Sequence, residues 1–163
     1  MYDGYLMKAV RLTPMTHAEF EEFLPQAIET YAQENVVAGR WPQAGALARS
    51  RADFMALLPD GTATVGHTLL CIRSGNQRVG SLWYAVDTTS SAPQVHVYDL
   101  HIDAAQRRKG FATAAFREME HQLRAAGVTR VGLHVFGHNI AARALYVRLG
   151  YAVTSINMLK SLD

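Results

Sequence analysis

Cysteine is nearly absent from this chain of 163 residues, because Cys71 is the only one. A single cysteine cannot form an intramolecular disulfide, which excludes a fold held together by such bonds. No apolar stretch approaches the roughly 18 residues that a membrane-spanning helix requires. Residues 1–4 also lack the basic segment and long apolar run of a secretory signal. These absences predict a cytoplasmic protein in which Cys71, set among leucine and isoleucine, is a buried and inert thiol.

A strong excess of one charge is also missing. Sixteen Lys and Arg residues against fourteen Asp and Glu residues give a formal charge of +2. This balance gives no reason to expect a nucleic acid or an anionic membrane as a partner. The 49% hydrophobic and 18% charged residues are typical of a globular protein with a substantial core. No repeat or long linker divides the chain, so residues 1–163 are predicted to form a single domain.

The pattern of apolar residues predicts strands and helices that alternate in the second half of the chain. Such alternation predicts an α/β fold with a mixed central sheet and helices on both faces. The predicted strands cover residues 8–12, 68–73, 79–86, 95–102, 130–136 and 151–159. The predicted helices cover residues 43–58, 112–126 and 139–149, together with a first helix that begins near residue 16.

The first predicted helix has an N-terminal capping signal and a proline in its interior. Thr16 and Glu19 stand three residues apart, which fits a capping box that opens a helix. Pro25 lies well inside the helical pattern and lacks the N–H that the helix would use. We therefore expect this helix to be kinked or broken at Pro25.

The most informative segment joins the fourth predicted strand to a helix. A helix N-terminus carries unpaired N–H groups and partial positive charge, and it binds phosphate or pyrophosphate readily. A glycine in the turn lets the backbone approach such an anion closely and adopt a positive φ. The segment therefore predicts an anion site at Arg107, Arg108, Lys109, Gly110, Phe111, Ala112 and Thr113.

A second constellation lies in the helix predicted over residues 139–149. Asn139 suits the N-cap, and Tyr146 follows seven residues later, close to two full helical turns. The amide and the phenol therefore fall on nearly the same face of the helix. We interpret them as one wall of a groove.

Together the two segments read strand, Arg-x-x-Gly-x-Ala, helix, strand, Asn-x-x-Ala-x-x-Leu-Tyr-x-x-x-Gly-Tyr. This pattern, which covers residues 95–151, resembles the GNAT superfamily of acyl-CoA-dependent N-acetyltransferases. The resemblance implies a sheet splayed at an acyl-CoA cleft. It implies that residues of about 95–151 bind acetyl-CoA, that coenzyme A is a product and that no metal is needed. Residues of about 1–90 would then shape the acceptor side, and homodimers are common in the family.

The resemblance also implies roles for particular residues. The turn at residues 107–113 would hold the pyrophosphate, and the backbone of Leu100, His101 and Ile102 would pair with the pantetheine arm. Asn139 would contact that arm as well. Tyr146 would protonate the thiolate that leaves when an amine attacks the thioester directly.

The general base is less clear from the sequence. Many relatives carry Glu at the position of Tyr98, and a phenol is a poor base near neutral pH. Asp99 is the candidate base next to it, and strand alternation places Asp99 and His101 on one face unless a bulge intervenes. The acceptor is expected to be a primary amine of a small molecule or peptide. Its candidate contacts are Glu34, His67 and His134, which are also further candidates for the base, so the base remains unassigned from the sequence.

Two alternatives to an active acetyltransferase remain. The Tyr in place of Glu favours a coenzyme A-binding sensor or interaction module that has lost turnover. A nucleotide-binding domain of another type is disfavoured because the chain contains neither Gly-x-x-x-x-Gly-Lys-Ser/Thr nor Gly-x-Gly-x-x-Gly at the turn.

Overall fold

In the computed structural model, which describes residues 9–162, five strands form one sheet in the order β1-β2-β3-β4-β5. Neighbouring strands are antiparallel except β4 and β5, which are parallel. The strands are β1 (Arg11–Pro14), β2 (His67–Ser74), β3 (Gln77–Val86), β4 (Gln94–Ile102) and β5 (Arg130–Leu133). The α-helices of the described residues are α1 (His17–Val37), α2 (Ala46–Leu57), α3 (Phe111–Ala125) and α4 (Ile140–Arg148).

The sheet separates two hydrophobic cores. On one face α3 packs its apolar stripe against the sheet, and the buried members include Ala115, Phe116 and Met119. On the other face α1 and α2 cover the sheet and bury Phe23, Phe54 and Trp83, among others. The predicted mixed sheet with helices on both faces is confirmed.

A β-bulge in β4 changes which side chains face which helix. Tyr84 pairs with Val97 and the next residue of β3, Trp83, pairs with Asp99, so Tyr98 is an extra residue of β4 that has no Cα partner in β3. A bulge of this kind shifts the phase of the strand, so that the usual alternation restarts after it. Both Tyr98 and Asp99 therefore lie on the same side of the sheet.

Packing before and after the bulge agrees with this phase shift. Val95 and Val97 belong to the core beneath α3, and Leu100 and Ile102 pack against the same core. Asp99 and the residues that alternate with it therefore face α1. The expectation that Asp99 and His101 share a face is confirmed.

The parallel pair β4 and β5 separates partway along its length. Pairing runs only from Gln94 opposite Arg130 to Val97 opposite Leu133. The prediction that the strand reaches residue 136 is wrong, because β5 ends at Leu133. Beyond Val97, β4 continues to Ile102 with no further pairing to β5. This separation produces the predicted splay and exposes backbone groups of β4 to the gap.

Helix α1 corrects one expectation and confirms another. Thr16 forms the predicted capping box with Glu19, whose backbone N–H donates to the Thr16 hydroxyl at 3.2 Å. The predicted break at Pro25 is wrong, because α1 runs without interruption from His17 to Val37. Pro25 and Glu21, whose carbonyl loses its helical donor, are both exposed, so water can satisfy that carbonyl. Packing of the opposite face against the sheet holds the helix together.

Smaller corrections concern element ends. The helix predicted from residue 43 begins at Ala46, after Gly45 in the left-handed region. The first strand is Arg11–Pro14 rather than residues 8–12. Lys8 and residues 1–4 lie outside the described residues.

The last predicted strand, residues 151–159, is wrong for this chain, because residues 151–162 form neither helix nor strand. A strand exists only where a partner supplies its hydrogen bonds, and no described strand pairs with this segment. Large apolar side chains are left exposed along it, with Ile156 at 75% and Met158 at 93%.

Candidate active site

The turn before α3 has the backbone shape of an anion site. Arg108 (φ 62°) and Gly110 (φ 84°) both adopt the left-handed region. The helix then starts, and Ala114 N–H donates to the Gly110 carbonyl at 3.1 Å. The amides of Ala112 and Thr113 precede this bond and have no acceptor within the helix. A Cβ on Gly110 would meet no other atom within 4 Å, so the space in front of the turn is open.

Basic side chains stabilise this turn and give it positive charge. Arg107 Nε donates to the Ile102 carbonyl at 3.1 Å. Lys109 Nζ donates to the Ala105 carbonyl at 2.8 Å and to Gln106 Oε1 at 3.1 Å. Two cations are therefore held within the segment that leads into the helix N-terminus. A pyrophosphate fits this donor set, because amides and cations together bind phosphate oxygens.

The second predicted wall begins with Asn139. Its side-chain oxygen accepts from the Ala142 N–H at 3.1 Å, and the predicted N-cap of α4 is confirmed. This cap fixes the start of α4. Leu100 and Ile102 direct their side chains into the core, which leaves their backbone as the part that faces the gap.

Tyr146 of α4 is held by aromatic packing. Its ring lies 5.4 Å from that of Phe116 and 5.8 Å from that of Tyr151. Burial, together with the negative charges of Asp99 and Glu34, raises the pKa of Tyr146 to about 12. The phenol therefore carries its proton at neutral pH.

Asp99 is the acidic group whose pKa is raised close to neutrality. Burial, with a smaller contribution from the Glu34 carboxylate, raises the pKa of Asp99 to about 7. Burial also raises the pKa of Glu34, against the opposing charge of His138. Because the charges of Glu34 and Asp99 both act on Tyr146, α1, β4 and α4 bring these three side chains into one electrostatic cluster.

Aromatic rings adjoin Asp99 on the α1 face of the sheet. Tyr98 stacks on Trp83, with ring centroids 4.5 Å apart and planes 17° from parallel. His96 meets the Tyr98 ring edge-on at 4.8 Å, and the His67 ring lies 5.7 Å from it. Trp83 Nε1 donates to His67 Nδ1 at 3.0 Å. We call these four residues the aromatic platform.

The remaining predicted site residues are more dispersed. His101 Nε2 lies 3.4 Å from Gln26 Nε2, which places His101 against α1, and burial lowers the pKa of its ring. His134 follows the end of β5 and meets the ring of Phe136 edge-on at 5.0 Å. Burial and the charge of Arg40 lower the pKa of His134. Of the predicted acceptor contacts, Glu34 therefore interacts electrostatically with Asp99, and His67 belongs to the aromatic platform. His134 lies just after the end of β5.

Sequence reasoning treated Tyr98 only as a missing Glu and did not identify the platform. A signal was present in β4, because its apolar residues change phase from positions 95 and 97 to positions 100 and 102. Such a change indicates a bulge and places two consecutive polar or aromatic residues on one face. His96 and Phe136 carried no comparable signal, because their roles depend on contacts between separate strands.

Within residues 9–162, no group of three or more His, Cys, Asp or Glu side chains is placed to hold a metal ion. In the same part of the chain, none of the helices combines the length and apolar character needed to cross a membrane.

Comparison with known proteins finds similar sequences and structures over nearly the whole chain. Residues 20–151 match the model of the acetyltransferase (GNAT) family. YdgE of Bacillus subtilis, described as an uncharacterized N-acetyltransferase, is 32% identical over 94% of this chain and 99% of its own length. YycN of the same organism, also described as an uncharacterized N-acetyltransferase, is 34% identical over 94% of this chain and 99% of its own length. The crystal structure of YycN superposes with a TM-score of 0.92, covering 95% of this chain and 99% of the YycN chain.

The raised pKa of Asp99 predicts a stability that depends on pH. The folded protein holds a proton on Asp99 up to a pKa of about 7, whereas the unfolded chain releases it near 3.9. Stability therefore falls as pH rises between these values. Asp99→Asn, which mimics the neutral acid, should be more stabilising at pH 8 than at pH 5, by on the order of 2 kcal/mol. Urea unfolding at both pH values measures the difference.

Asp87→Asn provides the control for that measurement. Hydrogen bonds from Thr89 lower the pKa of the Asp87 carboxyl, so it is ionised at pH 5 and at pH 8 in both states. Its substitution should change stability nearly equally at the two pH values, apart from the lost attraction between Asp87 and His96. An equally constant effect of Asp99→Asn would contradict the assignment.

Proposed function

The chain belongs to the acetyltransferase (GNAT) family, and from this premise we propose that it transfers an acetyl group from acetyl-CoA to a primary amine by direct attack. The observation that carries the proposal is the convergence of three features at the splay between β4 and β5. These are the open turn before α3, the proton-bearing Tyr146 and the Asp99 carboxyl. Residues of about 95–151 then bind the acyl donor, and residues of about 1–90 contribute the acceptor side.

The proposed donor site uses mainly backbone groups. The amides at residues 107–113 hold the pyrophosphate, supported by the cations of Arg107 and Lys109. The free edge of β4 at Leu100, His101 and Ile102 pairs with the pantetheine arm, which carries the thioester into the splay. Asn139 lies at the start of α4 on the opposite side of this gap and contacts the same arm.

The proposed chemistry moves two protons. An alkyl ammonium has a pKa of about 10 and must lose a proton before it can attack. Asp99 accepts that proton, the amine nitrogen bonds to the acyl carbon, and the bond from carbon to sulfur breaks. Tyr146 donates its phenolic proton to the leaving thiolate, and its phenolate takes the second proton of the acylated nitrogen, which thereby becomes a neutral amide, while Asp99 releases its proton to solvent. Backbone N–H groups on the free edge of β4 stabilise the negative charge that develops on the carbonyl oxygen.

The sensor alternative depended on Tyr98 in place of a glutamate. The bulge weakens that argument, because it presents Asp99 on the same face as Tyr98. The loss of a glutamate at one position is therefore not the loss of a carboxylate from the site.

We further propose a cytoplasmic location, since acetyl-CoA is the donor and the lone Cys71 is a buried, unpaired thiol. We also propose a homodimer. Its support is that β5 forms one edge of the described sheet while residues 151–162, rich in exposed apolar side chains, pair with no described strand. A second copy of the chain satisfies both through strand pairing.

The donor site is tested by Gly110→Val. A valine at this left-handed position pushes phosphate away from the amides and removes charge-assisted hydrogen bonds, each of which contributes about 1.5–3 kcal/mol. Coenzyme A should bind about 10- to 100-fold more weakly by isothermal titration calorimetry. Gly127→Val is the matched control, because Gly127 has φ 83°, an open Cβ position and a place at the far end of α3. Equal affinity for coenzyme A in both variants would show that the turn is not part of the donor site.

The general acid is tested by Tyr146→Phe. Thiol release from acetyl-CoA in the presence of an amine panel should fall at least about 100-fold, while the affinity for acetyl-CoA changes little. Tyr151→Phe is the control, since its ring also packs on Phe116 but its hydroxyl bonds to Glu120 at 2.9 Å. Turnover that survives in Tyr146→Phe contradicts the assigned role. A wild-type protein that binds acetyl-CoA and releases no thiol with any amine favours the sensor.

The homodimer is tested by placing charge on the exposed C-terminal segment. Ile156 and Met158 stand two residues apart, so they share one face of an extended strand. The double substitution Ile156→Asp and Met158→Asp should convert a dimer into a monomer in sedimentation velocity. Val65→Asp, at a valine that is 92% exposed in a loop, should leave the dimer intact. A wild-type monomer at about 100 µM, some hundredfold above a micromolar Kd, would refute the proposal.

A further inference from the structure

The aromatic platform indicates the class of acceptor. We propose that the preferred acceptor is a primary amine joined by a short spacer to a flat aromatic ring, with the ring on Tyr98 and the ammonium between Glu34 and Asp99. This inference depends on the proposed acetyl transfer and adds the identity of the substrate class.

Tyr98 is a surface ring with a rigid support. Trp83 is only 2% exposed and covers one face of the Tyr98 ring at 4.5 Å, yet Tyr98 remains 41% exposed. The exposed area must therefore lie on the other face and the free edge of the ring. His67 and His96 contact its sides and restrict its rotation. A fixed aromatic face of this kind binds flat rings by offset stacking.

The platform carries little positive charge at neutral pH. Burial lowers the pKa of His67 and of His96, although the charge of Asp87 partly opposes the effect at His96. His67 Nδ1 accepts a hydrogen bond from Trp83, so the neutral His67 ring carries its proton on Nε2. A cationic acceptor is therefore not repelled by the rings that it approaches.

Two carboxylates beside the platform complement an ammonium group. Asp99 follows Tyr98 directly and lies on the same face because of the bulge. Glu34 acts electrostatically on Asp99 from α1. An ammonium placed between Glu34 and Asp99 relieves the repulsion between their charges.

The adjacency of Tyr98 and Asp99 limits the spacer. Their Cα atoms are about 3.8 Å apart and their side chains leave the same face of β4, so an acceptor that reaches both needs only a short spacer between its ring and its ammonium. A spacer of about two or three bonds meets this requirement. Longer polyamines and amines without a ring leave the platform unused.

The test compares two amines that differ only in the flatness of the ring. The ratio of kcat/KM for 2-phenylethylamine to that for 2-cyclohexylethylamine should lie between about 2 and 12 in the wild type, since aromatic pairs contribute about 0.5–1.5 kcal/mol beyond area burial. Tyr98→Leu should bring the ratio close to one, and Tyr98→Phe should retain it. Tyr84→Leu, the same change on the α3 face of the sheet, should also retain the ratio.

The ammonium subsite has its own variant. Glu34→Gln should raise KM for both amines by about tenfold while the affinity for acetyl-CoA stays unchanged, since a charge-assisted hydrogen bond contributes about 1.5–3 kcal/mol. A wild-type ratio near one, or faster transfer to hexylamine than to 2-phenylethylamine, overturns the inference and leaves acetyl transfer intact. The absence of thiol release with every amine overturns both proposals. The kcat/KM ratio of the wild type tests the aromatic acceptor even where a variant does not fold.

Discussion

The β-bulge at Tyr98 is the constraint on which the candidate site depends. Without it, regular alternation would send Asp99 into the core beneath α3, where a carboxylate has no partner. The bulge restarts the alternation, so Leu100 and Ile102 fill that core while Tyr98 and Asp99 face α1. The bulge lies at the level where β5 leaves β4. The same stretch of β4 therefore supplies a backbone edge that is not paired with β5 and two side chains of the candidate site on the α1 face of the sheet.

The proposed donor and acceptor sides of the site differ in how well the sequence predicts them. The donor side consists of a glycine turn, a helix N-terminus and an N-cap, each of which depends on a few consecutive residues. Gly110 and Asn139 therefore have the local structure that the sequence predicts. The acceptor side depends on contacts between α1, β2, β3 and β4. No local pattern encodes the stacking of Tyr98 on Trp83 or the approach of Glu34 to Asp99.

The errors in the fold have the same origin. Pro25 breaks an isolated helix, but α1 buries Phe23, Ala27 and Ile28 against the sheet, and this packing outweighs one lost hydrogen bond. Residues 151–159 have the composition of a strand, but strand formation requires a neighbour that the described part of this chain does not provide. In both segments the prediction followed local propensity, whereas the conformation that forms depends on tertiary contacts.

The electrostatic cluster also couples the two proton transfers of the proposed reaction. Burial, the charge of Asp99 and that of Glu34 all oppose ionisation of the Tyr146 phenol. When Asp99 accepts the proton of the attacking amine, its negative charge disappears and that part of the opposition ends. Tyr146 then becomes a stronger acid at the step where the leaving thiolate needs a proton. A separated acid and base would not adjust in this way, so the proximity of Asp99 to Tyr146 is itself part of the chemistry that the site can perform.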